Sequence, residues 1–141
     1  MDNYQKIRQR IEQSLKNANS TIALKEKIEG IINEMMVIVS ELTGGEITHI
    51  TKDNTPVNRD YSNSDKLVFL KKSSVNFDYG FALIGYAINF ENGFPVSVET
   101  DIEYFDCQNE DELRATIADI IDKKAIKIIQ LVEEKVDDIP F

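Results

Sequence analysis

The sequence predicts an α+β fold: a four-stranded antiparallel sheet with long N-terminal and C-terminal helices packed on one face. Three observations carry this. Both ends of the chain place apolar residues at helical spacing, and the middle holds short runs of alternating polarity. Between two of those runs stands Asn92-Gly93, the strongest short-range hairpin signal in the chain.

Taken in order, Tyr4, Ile7, Ile11 and Leu15 form one apolar stripe of a first helix. The polar run Asn17-Ala18-Asn19-Ser20-Thr21 offers a break, with Ser20 or Thr21 as a cap. A second helix is predicted from about Ile22 to Leu42, ended by Gly44-Gly45, the residue type that closes helices in the left-handed conformation. Its last turns are apolar on more than one face, so they must be covered by the sheet and by either another helix or a second copy of the chain. Ile28, Met35 and Leu42 repeat at seven, the spacing of a coiled-coil seam, so this stripe is either internal core or a homodimer contact through Met35, Met36 and Val39. Gly30 in mid-helix costs roughly 1 kcal/mol relative to alanine and suggests close backbone packing there.

Glu46–Thr51 and Lys66–Lys72 read as strands, joined by the long polar loop Lys52–Asp65. Loops of that length in compact domains are often functional, and Arg59 and Tyr61 are its candidate ligand-binding residues. The hairpin follows. A three-residue Glu91-Asn92-Gly93 loop with Gly93 left-handed sets Phe90 opposite Phe94, Ile88 opposite Val96 and Tyr86 opposite Val98. It continues with Ile84 opposite Thr100 and Ala82 opposite Ile102. That register gathers the apolar residues on one face. A two-residue turn would mix them with acids, and a one-residue slip flips every side chain. Pro95 lacks an N–H and points to an edge at that end. Asn109 opens the last helix, with Glu112 three residues later as in a capping box. Its apolar stripe runs from Leu113 to Val132. The whole chain, 1–141, is predicted to be a single domain with a loosely held tail at about 136–141.

The 42% hydrophobic content suits a globular chain, and no apolar run approaches the ~18 residues of a membrane span. One cysteine, Cys107, excludes an internal disulfide and fits a cytoplasmic setting. Six basic residues against three acids give residues 1–27 a local +3; a total of −9 leaves −12 for the rest. Such a body repels nucleic acid and steers basic partners toward itself.

Chemical motifs are few. His49 is the only histidine, with no identifiable partner for base catalysis. Cys107 precedes a helix start, where a thiol can be activated, but nearby acids oppose another negative charge. No phosphate-binding glycine loop or EF-hand loop occurs. The sequence therefore predicts no enzyme, no cofactor and no metal.

What stands out is the stretch Glu91–Leu113, with eight acids and no lysine or arginine. Extended alternation would set Glu99, Asp101 and Glu103 in one outward row, joined by Asp106, Glu110 and Asp111 at the helix start. The row spaces charges by ~6.7 Å, against ~3.4 Å along one DNA strand, so phosphate mimicry needs both sets. The first functional expectation is thus a small cytoplasmic interaction protein, a stoichiometric inhibitor of the phage anti-defence or immunity type. Its acidic hairpin face would block a protein partner with a basic surface. The rival expectations are a dimeric chaperone or adaptor using apolar helix surface, and a small-molecule-sequestering protein using the 52–65 loop.

Overall fold

The computed structural model describes residues 2–55 and 57–136. Its elements are α1 (Asn3–Leu42), β1 (Ile47–Asp53), β2 (Lys66–Lys72), β3 (Gly80–Asn89), β4 (Gly93–Glu99), β5 (Tyr104–Cys107) and α2 (Glu110–Glu133). The architecture is α+β, with the strands in sequential order as one antiparallel meander. The tail expected to be loose lies, from residue 137 onward, outside the described residues.

Two helices were expected at the N-terminus, and one forms. No glycine or proline interrupts Asn17–Thr21, and the hydroxyls that could have capped a new helix bond backward instead. Ser20 Oγ donates to Lys16 O and Thr21 Oγ1 to Asn17 O, the i−4 pattern of an uninterrupted helix. Asp2 accepts from the Gln5 N–H at the start. At the other end Thr43 is followed by Gly44 and Gly45, both at positive φ, and the Gly45 N–H bonds Ser40 O at 2.8 Å. Gly30 meets nothing within 4 Å of an added Cβ, so no close packing explains it.

Five strands replace the expected four because β4 stops at Glu99. Thr100 Oγ1 accepts from the N–H groups of Ile102 and Glu103, and the Thr100 N–H bonds Glu103 O. This tight turn reverses the chain into β5. The pairs expected for Ile84–Thr100 and Ala82–Ile102 therefore do not form, and Ile102 is exposed. Nearer the tip, Ile88↔Val96 and Tyr86↔Val98 pair as expected. The tip itself differs: Asn89 pairs with Gly93, and Asn89 Oδ1 accepts from the Glu91 and Asn92 N–H groups. Phe90 is left outside at 89% exposure instead of facing Phe94. Gly93 is left-handed, with φ 79°. Pro95 sits in an interior strand, at a point where β5 no longer pairs, since Cys107 stands opposite Val96.

The helices contact each other and the sheet, α1 along β1 and β4 and α2 along β2, β3 and β5. Their shared core holds Ile28, Ile32 and Met36 from α1, Leu113, Ile117 and Ile120 from α2, and Val68, Leu70, Val96 and Val98 from the sheet. A register shift between Val68 and Phe69 leaves Leu83 without an opposite residue, and both Leu83 and Ile84 are fully buried. Lys72 is buried as well, donating to the carbonyls of Leu131 and Val132 in the last turn of α2. A cation satisfies two otherwise unpaired acceptors there and complements the negative helix end. Asn109 Oδ1 accepts from the Glu112 N–H at the start of α2, and Glu112 returns to the Gln108 N–H.

Candidate interaction surfaces

The acidic stretch does not form one row. Glu99 is only 5% exposed, on the sheet face opposite Tyr86 and Val98, under the loop between β1 and β2. Its carboxylate accepts from the Asn63 N–H at 2.9 Å, from Ser64 Oγ at 2.6 Å and from Asn63 Nδ2 at 3.4 Å. Asp101 lies in the turn, 3.6 Å from Lys124 Nζ, and Glu103 accepts two bonds from Lys123 Nζ. Glu110 sits 3.3 Å from Lys27 Nζ. Asp106 accepts from the Tyr104 hydroxyl, and Asp106 and Asp111 are exposed with no cation partner among the described residues. Sequence alternation could not show that α2 presents its lysines to the turn, because that depends on the helix docking angle.

The loop is strapped to the sheet rather than poised over a cleft. Asn54 Nδ2 donates to Tyr61 O and Ser64 O, both at 2.7 Å. Tyr61 is 7% exposed, its ring crossing Gly85, where any Cβ would collide with Ser64 and Tyr61. Burial foremost, then the charges of Asp101, Asp60 and Glu99, push the Tyr61 hydroxyl up to about 12. Arg59 stays exposed, so the two candidate ligand residues are not brought together. A shallow polar space of about 270 Å³ remains beside Asn54, Asn58 and Ser62.

His49 and Cys107 lie on the two opposite edge strands, β1 and β5, and form no dyad. His49 Nε2 bonds Asn33 Oδ1 at 2.9 Å, and burial lowers its pKa. Cys107 is buried, donates to Thr116 Oγ1, and has its thiol pKa raised mainly by burial. Among the described residues no three His, Cys, Asp or Glu side chains are grouped to hold a metal ion.

Apolar surface tells a different story. The first eighteen residues of α1, Asn3–Ser20, are exposed throughout and extend ~27 Å as a helical arm. Contact with the body begins where Thr21 Oγ1 bonds Glu91 O and Leu24 packs on Gly93. The arm displays Tyr4, Ile7, Ile11 and Leu15, each more than half exposed, and Ile22 continues the stripe at its base. There Ala18 and Ile22 join Ile88 and Phe90 around an open notch of about 630 Å³. At 100° per residue, the arm stripe is turned by roughly 100° from the α1 face that enters the core. It is not an overhang of the core face.

A second apolar surface lies on the outer side of the helical layer. Met35, Ile38 and Leu42 of α1 and Ile121, Ala125 and Ile129 of α2 line a groove of about 320 Å³. Of the residues expected at a dimer contact, Met36 and Val39 are buried in the core and only Met35 is part-exposed at this groove. The arm was legible as an amphipathic helix; what escaped was that the body would not cover it. The roughly 100° rotation between the two stripes of one helix was the available signal.

No protein family, curated protein or solved structure matches the chain. No helix among the described residues is long and apolar enough to cross a membrane.

Proposed function

We propose that this protein is a non-catalytic, adaptor-type interaction module whose recognition element is the α1 arm. One observation carries the reading: a helix held in place only from Thr21 onward presents four large apolar side chains, Tyr4, Ile7, Ile11 and Leu15, to solvent. Apolar surface of this extent, arranged in one stripe and bordered by Lys6, Arg8, Arg10 and Lys16, is the mark of a binding face. The separation of His49 from Cys107 favours binding over chemistry. A buried lone thiol favours a reducing, cytoplasmic setting.

A photo-activatable residue placed at Leu15 should cross-link strongly to protein in the living host. The same residue at exposed, polar Asp60 should not. Equal yields at the two positions would remove the arm as the recognition element.

The blocking of a basic partner by an acidic face is the second reading, and it now rests on Asp106 and Asp111, the exposed carboxylates of that set with no ion-pair partner among the described residues. Reversing both to lysine should abolish partner capture with only a small loss of stability, from Asp111 at the positive end of α2, if that face acts as an inhibitor. Unchanged capture leaves the arm alone.

A further inference from the structure

The arm stripe and the outer groove are unpartnered apolar surfaces among the described residues, and both include residues of α1. We propose that each is the other's partner across two copies of the chain: the α1 helices pair antiparallel, and the arm of each copy fills the groove of the other. The inference rests on the arm being the recognition element and names what it binds.

Length supports the fit. Tyr4 to Leu15 and Ala118 to Ile129 are twelve residues each, about 16 Å of helix from end to end, so the apolar part of the arm matches the α2 wall of the groove. An antiparallel alignment about a two-fold axis near Ala23 sets Tyr4 opposite Leu42 and Ile11 opposite Met35 of the second copy. Symmetry repeats the same pairs at the other end, so one arrangement occupies both arms and both grooves and closes. Tyr4 and Leu42 are among the most exposed apolar residues of α1, at 68% and 82%.

The seam also follows. Positions 4, 7, 11, 14, 18, 21, 25, 28, 32, 35, 39 and 42 form one continuous heptad pattern, apolar toward both ends and polar at Ser14, Thr21 and Lys25. On a straight helix such a seam drifts by about 20° per heptad. It lies on the free side of the arm at one end; at the other, Ile28, Ile32 and Val39 are buried in the core of their own chain, and only Met35 and Leu42 stand at the groove edge to meet a second copy.

Charge chooses a second copy over a neutral occupant. Residues 2–20 carry Lys6, Arg8, Arg10 and Lys16 against Asp2 and Glu12, a net +2. The two helices that line the groove carry exposed acids, Glu34 and Glu41 on α1 and Asp119, Asp122 and Glu133 on α2, and Arg114 is paired with Glu34. The nearby lysines of α2 are turned elsewhere: Lys123 and Lys124 to Glu103 and Asp101, Lys127 over the Phe81 ring. The alignment lays Lys6 beside Glu41 and Arg8 and Arg10 between Glu34 and Glu41.

Sedimentation of the purified protein at micromolar concentration should give twice the 16.1 kDa chain mass. Ile7→Asp with Ile11→Asp, on the exposed arm, and separately Ile129→Asp, in the groove, should each weaken the dimer at least 100-fold while the folded sheet signal persists. Mixing a Tyr4→Cys variant with a Leu42→Cys variant should give a disulfide-linked dimer under mild oxidation. Neither variant alone should do so.

A monomer would overturn the inference. So would a dimer unaffected by Ile129→Asp, as expected if the groove receives a foreign helix or the arms pair only with each other. Efficient self-linking of Ile11→Cys would identify that arm–arm pairing. The adduct at Leu15 keeps the two claims apart: a foreign adduct overturns the second copy and spares the arm, whereas no adduct removes both.

Discussion

Glu99 shows how one carboxylate can be read correctly in register and wrongly in role. The alternation that pairs Tyr86 with Val98 also places Glu99 beside Gly85 on the other face, as expected. What alternation cannot show is that a polar loop folds over that face, because the covering contacts come from Tyr61 and Ser64, more than thirty residues away. Glu99 thus acts as a strap that accepts from two loop residues in a nearly dry site. Glu99→Ala leaves the Ser64 hydroxyl and the Asn63 N–H without acceptors, which costs about 2–3 kcal/mol. Urea unfolding should register that loss, and trypsin should cut after Arg59 faster than in the wild type; unchanged cutting would mean the strap is not what holds the loop. Gly30 is the opposite case. It is exposed, lies in mid-helix and has open space where a Cβ would go, so Gly30→Ala should raise stability by about 0.5–1 kcal/mol. A neutral or destabilising result would indicate that something covers this point in solution.

At the scale of elements, the sequence was most legible where a local signal had a single geometric solution. Lys66–Lys72, the Asn109 cap and the Gly44-Gly45 stop all lie where propensity and turn chemistry put them. It was least legible where two local solutions were nearly equal. Ser20 and Thr21 can cap a helix or bond back within one, and the decision falls to Leu24 and Thr21, which anchor the helix beside the hairpin tip. Likewise Thr100 ends β4 because its side chain caps a turn, a choice invisible in the alternation of Glu99, Asp101 and Glu103. The arm depends on this continuity. An isolated segment of eighteen residues with this composition is a marginal helix in water, since nucleation is costly; growing from an anchored helix, it needs no new nucleus. Asn19→Pro should therefore uncouple it. The arm holds 18 of the 64 residues in α1 and α2, so far-UV helical signal should drop by about a quarter while near-UV tyrosine signals of the body persist. A retained helical signal would mean the arm is held by packing rather than by continuity, as an engaged groove would supply.

The whole molecule is a sheet locked from both sides, by two helices on one face and by the strapped loop on the other. Each side buries one tyrosine. Tyr86 is 3% exposed on the helix side, its hydroxyl pushed up to about 12 by burial first and by the charge of Glu29 second. Tyr61 on the loop side reaches about 12 for the reasons already given. An unfolded tyrosine loses its proton near pH 10, so in both cases the folded state holds the proton more tightly. The sign follows: their contribution to stability is complete below pH 10 and is lost as pH climbs from 10 toward 12. Because the two residues clamp opposite faces of the same β3–β4 pair, their losses should weaken one cooperative unit rather than release the loop alone. Denaturant titrations at stepped pH should show stability falling across that window, with loop cleavage and helix signal changing together. Tyr61→Phe and Tyr86→Phe should each flatten the fall, and the double variant should flatten it most. If the double variant falls as steeply as the wild type, the alkaline limb belongs to the lysines and to the net charge of −9, not to the two buried phenols.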